Sequence, residues 1–277
     1  MKEISILDQF KGFLNTPDIF PKEYQNEIKR FAFPKPEITA ALISDLEKLD
    51  HPRNSVLGKR MESFFEIAIR HSERYDLINS NLQIIENKTT IGELDFLLFD
   101  KFESKTIHVE LVYKLYVHDT KFANELDGWI GPNRKDSFSE KIEKLIQKQF
   151  PLLYKPETLK YLKELNLNLA EIEQQLCFKA QLFSPAINNL ETKTKLNSDC
   201  IRGSWYHFDE FLKKDWKKNQ FLTPKKKDWS CHPEGNSAWL DYEETIKQIK
   251  ILFDHEKSPL VWMKTQTSYQ SFFIVWW

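Results

Sequence analysis

Residues 91–117 read IGELDFLLFDKFESKTIHVELVYKLYV. Two runs rich in Ile, Leu, Val, Phe and Tyr flank the polar segment 100–105, the pattern of two adjacent, mostly buried strands. Charge lies inside those runs. Side chains alternate faces along a strand, so Glu93 and Asp95 are expected to share a face of the first, and His108, Glu110, Val112 and Lys114 a face of the second. Carboxylates inside a sheet lose hydration at high cost unless a metal or a cation compensates. A sheet that sets Asp95 beside Glu110, with Lys114 near, has the ingredients of a divalent-metal site. His108 is read as a satisfied strand histidine, with supplementary ligation as the alternative.

Upstream, residues 81–86 (NLQIIE) form a further strand and Asn87-Lys88 a turn, which makes a three-strand meander. Before it, LGKRMESFFEIAIRHSERY (57–75) carries Leu57, Met61, Phe64, Phe65, Ala68 and Ile69 at helical spacing, with Asn54 or Ser55 as the cap. Glu62 and Glu66 stand four apart beside that stripe. They read either as solvated helix carboxylates or, for Glu62, as a group leaning toward the metal site. Residues 1–35 look like helical entry segments broken by prolines, followed by a short helix over 37–49.

Downstream, Gly128, Gly131 and Pro132 mark a loop, and Ser137 or Ser139 caps a helix to about Phe150. Arg134 and Lys135 sit immediately before that helix and are a candidate phosphate contact; a solvated loop is the alternative. On the helix, Lys141, Lys144, Lys148 and Gln149 could line a backbone-binding face. Residues 156–175 read as a polar helix, 176–184 as a strand, 188–200 as a loop, 240–253 as an amphipathic helix, and 260–263 and 272–277 as short strands. The basic run Pro224-Lys225-Lys226-Lys227 reads as a solubilising loop that could touch phosphates.

At 277 residues, 41% hydrophobic and 29% charged, the chain is long enough to bury a core without disulfides or structural metals. Seven glycines against 21 Phe and 8 Trp argue against extended disorder. A formal net charge of −1 gives no global field for nucleic acid, so polyanion binding would need a local patch. Cys177, Cys200 and Cys231 are far apart and odd in number, which supports neither a zinc ribbon nor a disulfide framework; Cys231-His232 is a weak ligand pair. No apolar run approaches the ~18 residues of a membrane span. With no charged-then-apolar leader at the N-terminus, the expectation is a cytoplasmic protein with no membrane partner. GxSxG, HExxH and Walker-type motifs are missing.

The stretches LGKRMESFFE, IGELDFLLFD, HVELVYKLYV and GWIGPNRKDSFSEKIEKLIQKQ together resemble the DUF1853 family, a bacterial group similar to the PD-(D/E)XK nuclease superfamily. The resemblance covers residues 55–150 and extends through the WYHF segment toward the C-terminus. It implies an α/β (α+β) fold, a restriction-endonuclease-like mixed sheet flanked by helices. Residues 1–54 would pack on a 55–150 core, and 151–277 would complete that core or cap the site. It also implies metal-dependent phosphodiester hydrolysis on nucleic acid with Mg²⁺ or Mn²⁺. Asp95 and Glu110 would be the metal carboxylates, Glu62 the helix carboxylate and Lys114 the motif lysine, with Arg134, Lys135, Lys141 and Gln149 on the substrate. The superfamily spacing E-x-K is not kept. Val112 stands where the lysine belongs, and Lys114 lies about 13 Å along the strand from Glu110, a gap that needs a bulge or bend to close. The competing readings are a catalytically inactive nuclease-like fold that serves as a binding or scaffold module, and a structural ion network of His108, Glu110 and Lys114.

Overall fold

The structure, a computed structural model, describes residues 4–21, 28–51, 57–187, 194–234 and 236–277. In chain order its elements are α1 (Ile6–Leu14), β1 (Lys29–Arg30), α2 (Ala40–Glu47), α3 (Leu57–Arg70), β2 (Tyr75–Glu86), β3 (Thr89–Asp100), β4 (Lys105–His118) and β5 (Trp129–Ile130). Then come α4 (Phe138–Lys144), α5 (Phe150–Leu152), α6 (Pro156–Glu164), β6 (Ile172–Pro185), β7 (Ile201–His207), α7 (Phe208–Leu212), β8 (Gln220–Leu222), α8 (Tyr242–Phe253), β9 (Leu260–Lys264) and β10 (Tyr269–Val275). The strands form a mixed sheet ordered β2-β3-β4-β6-β7-β10-β9-β8, with β1 beside β6 and β5 beside β4. Strands β6–β7 and β7–β10 pair in parallel; β2–β3, β3–β4 and β9–β10 are antiparallel. This is the mixed α/β architecture, a sheet flanked by helices, expected from the sequence.

Contacts cluster into two units, each discontinuous in sequence: Lys22–Tyr113 with Lys141–Lys179, and Met1–Pro21 with Lys114–Glu140 and Ala180–Trp277. In the first, α3 buries Met61, Phe64, Phe65 and Ala68, and the Phe65 ring lies 4.3 Å from that of Phe96 on β3. A second cluster joins Ile84, Leu94 and Leu97 to Leu152, Leu153 and Leu162 of the α5–α6 region. Gly92 allows this packing, because a Cβ there would sit 2.5 Å from Leu152 Cδ2. The β2–β3 turn is formed by Asn87 and Lys88, both left-handed at φ 47° and 65°, the conformation that two-residue hairpin turns demand. The β3–β4 turn is held by buried Asp100, whose carboxylate accepts the N–H groups of Phe102 and Glu103 and pairs with Arg74.

In the other unit one sheet face packs on α7 and α8 through Phe211, Phe221, Tyr242, Ile249, Val261, Met263, Phe272 and Ile274. The neighbouring residue Phe273 points the other way, onto Phe183 and Trp229. Asp241 caps α8 in a capping box with Glu244.

Three boundaries differ from the sequence reading. The helix begun at Leu57 ends at Arg70, and its last expected turn opens β2 instead. The helix expected over 156–175 stops at Glu164, because Asn166 adopts left-handed backbone (φ 56°), and β6 begins at Ile172. Of residues 1–35, the described part forms one helix, α1, and a two-residue strand, β1. The caps expected at Asn54 or Ser55, and part of the 188–200 loop, lie outside the described residues. Among the described residues no helix is long and apolar enough to cross a membrane.

Phe211 is fully buried against Trp216, Phe221, Tyr242 and Phe272. Phe211→Ala is expected to lower the stability seen in urea unfolding by about 3–5 kcal/mol, and Asp241→Ala by about 1 kcal/mol; a smaller loss from the phenylalanine than from the cap would contradict this packing.

Candidate functional site

Asp95 and Glu110 come together where β3 and β4 part. Their ladder runs from Asp100↔Lys105 to Phe96↔Val109; one step further Asp95 would stand opposite Glu110, and there pairing stops. The Leu111 N–H donates instead to Asp95 Oδ2 at 2.9 Å. On the β2 side, the pairs Ser80↔Phe96 and Leu82↔Leu94 bracket Asn81 opposite Asp95, and Asn81 is left-handed (φ 53°). Leu94 and Leu97 nevertheless bury in the same cluster. After its partner Glu62, both Glu93 and Asp95 raise the Lys59 ammonium, in keeping with the face the two were expected to share.

Glu110 is fully buried and both its oxygens are engaged. Gln174 Nε2 donates to Phe150 O (2.9 Å) and to His108 Nδ1 (3.0 Å). The His108 ring therefore carries its proton on Nε2, which donates to Glu110 Oε1 at 3.0 Å. Gln149 Nε2 donates to Glu110 Oε2 at 2.5 Å, and Lys141 Nζ donates to Gln149 Oε1 at 2.8 Å. Gln149 reaches Glu110 from a turn of π-helix, Leu145–Gln149, between α4 and α5. Pro151 explains that turn: it has no N–H to continue the ordinary ladder, and the Phe150 N–H bonds Leu145 O instead.

Burial pushes the Asp95 carboxyl up to about 8, and the charges of Glu110 and Glu62 add to this against the Leu111 N–H and Lys141. Burial raises Glu110 to about 7, opposed by Lys141 and the Gln149 hydrogen bond. Burial lowers His108 to about 4, so it is neutral. Neither Asp95 nor Glu110 has a Lys or Arg ion pair among the described residues.

The remaining candidates divide. Glu62, partly exposed, pairs with Lys59 at 2.9 Å. Turning the Asn81 amide lets its nitrogen donate to Glu62 Oε2 (3.1 Å) and Glu93 Oε1 (3.2 Å), which makes an acidic rim. Glu66 is held by Arg70 and Ser80. Lys141 and Gln149 join the carboxylates, Lys141 as a cation that lowers both and Gln149 as the clamp on Glu110. Lys114 does not: it pairs with Asp136. Arg134 pairs with Asp119 at 3.1 Å, and Lys135 is exposed. The sequence reading had no role for Gln174 or Asn81. Gln174 carried no signal, whereas an asparagine ahead of a strand's mid-point is a recognisable left-handed residue.

A cavity of about 1020 Å³ in the unit holding α1 is lined by Lys11, Arg202, His232 and Trp262 among others. Every charged side chain and histidine in its wall is exposed, so it has no buried carboxylate comparable to Glu110.

A family model described as a domain of unknown function (DUF1853) matches residues 10–271. No curated protein and no solved structure matches the chain.

Asp95 and Glu110 titrate at about 8 and 7 against ordinary values of 3.8 and 4.5. The folded chain thus keeps protons that the unfolded chain has released, and stability falls as pH rises through this range. His108, lowered to about 4 from 6.5, gives the opposite slope, but only below about 6.5. Melting temperature is therefore expected to fall between pH 6.5 and 8, and Asp95→Asn to flatten that fall. An Asn variant with the wild-type slope would show that this carboxyl is not held protonated.

Proposed function

Because the chain belongs to the DUF1853 family across residues 10–271, which assigns it no activity, we propose its function from the carboxylate pair itself: metal-dependent hydrolysis of a phosphodiester in nucleic acid. The observation that carries this reading is that Asp95 and Glu110 face each other at the end of the β3–β4 ladder without an ion-pair partner among the described residues. Glu110 is fully buried and Asp95 partly so, and carboxylates desolvated in this way need either a proton or a cation.

The donor set fits a hard divalent ion. Mg²⁺ is typically held by one or two carboxylates, with waters and substrate phosphate completing the shell. Among the described residues no group of three or more His, Cys, Asp or Glu side chains is placed to hold a metal ion, so such a site would rest on two carboxylates, with water and substrate phosphate supplying the rest. Asp95 and Glu110 would hold Mg²⁺ or Mn²⁺. When bound, the ion would polarise the phosphoryl group and lower the pKa of the attacking water. Glu110 is pre-oriented by His108, whose tautomer Gln174 fixes, as a carboxylate ligand's supporting shell must be. Gln149 would have to release Glu110 Oε2, and Lys141 is the amine available to offset negative charge on the phosphoryl oxygens.

A second reading, a catalytically inactive binding module, is favoured by one observation: Lys114 is committed to Asp136. Calorimetric titration of Mn²⁺, with and without a short oligonucleotide, separates the two. Binding that is lost in Asp95→Ala, with cleavage reduced to background in both Asp95→Ala and Glu110→Ala and retained in Lys114→Ala, is the expected result. Absence of Mn²⁺ binding in both titrations, or cleavage that survives both carboxylate variants, would transfer the site to the inactive reading.

A further inference from the structure

Two basic stretches far apart in sequence lie within electrostatic reach of each other in the unit that includes residues 114–140 and 180–277, the loop Gly131-Pro132-Asn133-Arg134-Lys135-Asp136 and the run Lys225-Lys226-Lys227. The loop is rigid. Gly131 N–H donates to Asp136 O at 2.7 Å and Arg134 N–H to Gly131 O at 2.8 Å. A Cβ on Gly131 would meet Asp136 Oδ1 at 2.1 Å, so glycine is needed for that carboxylate to fold inward. Pro132 O accepts Ser258 Oγ (2.7 Å) and Trp277 Nε1 (2.9 Å), and Asn133 Oδ1 accepts the Ser258 N–H (2.7 Å). Arg134, left-handed at φ 54°, spreads its guanidinium 4.2 Å over the Trp277 ring. The second stretch is anchored by Trp229, whose indole N–H donates to Pro224 O at 3.3 Å while Lys226 Nζ lies 5.5 Å from its ring.

The charges around these anchors do not balance. Lys114 is paired with Asp136 and Arg134 with Asp119. Lys135 and Lys226 have no carboxylate partner among the described residues. Partial desolvation, with the like charges of Lys114 and Lys135, lowers the Lys226 ammonium from its ordinary value despite nearby Asp136. Of these four cations two have a carboxylate partner and two have none among the described residues, in a chain of net charge −1. Fixed cations around immobilised backbone are what a repeating phosphate needs: phosphate contacts position a nucleic acid through charge and carry no sequence information.

We propose that Lys135 and Lys226, flanked by Arg134 and Lys114, form a contact for the phosphate backbone of nucleic acid. The choice of polyanion rests on the phosphodiesterase reading; the site itself uses none of its carboxylates. Lys114 accordingly serves substrate binding, with Asp136 as the group that holds it until phosphate arrives.

Fluorescence anisotropy of labelled single-stranded and duplex oligonucleotides with the full chain in EDTA tests this, titrated between about 50 and 200 mM salt. The double variant Lys135→Gln/Lys226→Gln is expected to bind at least about fivefold more weakly and to lower the slope of log affinity against log salt by about 2. The control Lys217→Gln/Lys218→Gln, which makes the same change in net charge at exposed lysines elsewhere, should leave the slope near wild type. Asp136→Asn should tighten binding by freeing Lys114. Asp95→Ala should bind as wild type, so a failure of cleavage leaves this contact standing. The proposal is overturned if neither oligonucleotide binds at low salt, if the two double variants lose affinity equally, or if only an acidic polypeptide binds.

Discussion

The carboxylate pair, Glu110 fully buried and Asp95 partly so, is the constraint on which the first unit depends. Bringing Asp95 and Glu110 into apposition inside a sheet removes water from two like charges, and each neighbouring element answers part of that cost. The β3–β4 ladder ends at Phe96↔Val109, which frees the Leu111 N–H to serve Asp95 Oδ2 rather than a strand carbonyl. Pro151 prevents a regular helix and leaves a π turn that delivers Gln149 to Glu110. π turns set into α-helices are frequent at functional sites because they shift one side chain off the regular face. His108 stays neutral because burial holds it down, so it can donate to Glu110 without adding a charge. Among the described residues no Lys or Arg pairs directly with either carboxylate.

That omission has a chemical consequence. With Asp95 raised to about 8 and Glu110 to about 7, a proton is the cation the pair retains near neutral pH. A divalent ion would compete with that proton, and its affinity would rise with pH in the same window where the metal-free fold weakens. A purely structural pair would be expected to carry its own Arg or Lys, as Asp100 does with Arg74 in the turn only a few residues away. The contrast between Asp100 and Asp95, on the same strand, is the internal argument for function at the second.

Much of this was legible in sequence. The hairpin of 91–117, its polar turn and the α3 stripe follow from periodicity, and Asp95 and Glu110 stood out as carboxylates in apolar runs. What sequence could not carry was long-range. Asn81 lies opposite Asp95 with a left-handed backbone, and its turned amide reaches Glu62 and Glu93, contacts that no local pattern gives. Lys141 and Gln149 were readable as one helix face but not as the pair that reaches Glu110, because a proline-induced π turn sets their aim. Lys114 looked like a companion of Glu110 by parity alone. Its actual partner, Asp136, lies 22 residues on, brought in by a loop that only glycine at 131 permits.

The departure from E-x-K spacing now has a physical content. A lysine two residues after Glu110 would have presented its amine to the carboxylates directly; Val112 there is buried apolar surface. The lysine four residues on belongs to a different charge cluster, where an ion pair with Asp136 and a neighbouring Lys226 make it part of a basic surface. On the proposed reading the chain would separate two tasks that one lysine would otherwise share. Charge near the carboxylates would come from helix α4 through Lys141, held at one remove by Gln149. Attraction of a polyanion would come from Lys135 and Lys226. Such a division would make affinity and chemistry separable by mutation, because among the described residues no hydrogen bond or ion pair joins Lys135 or Lys226 to Asp95 or Glu110.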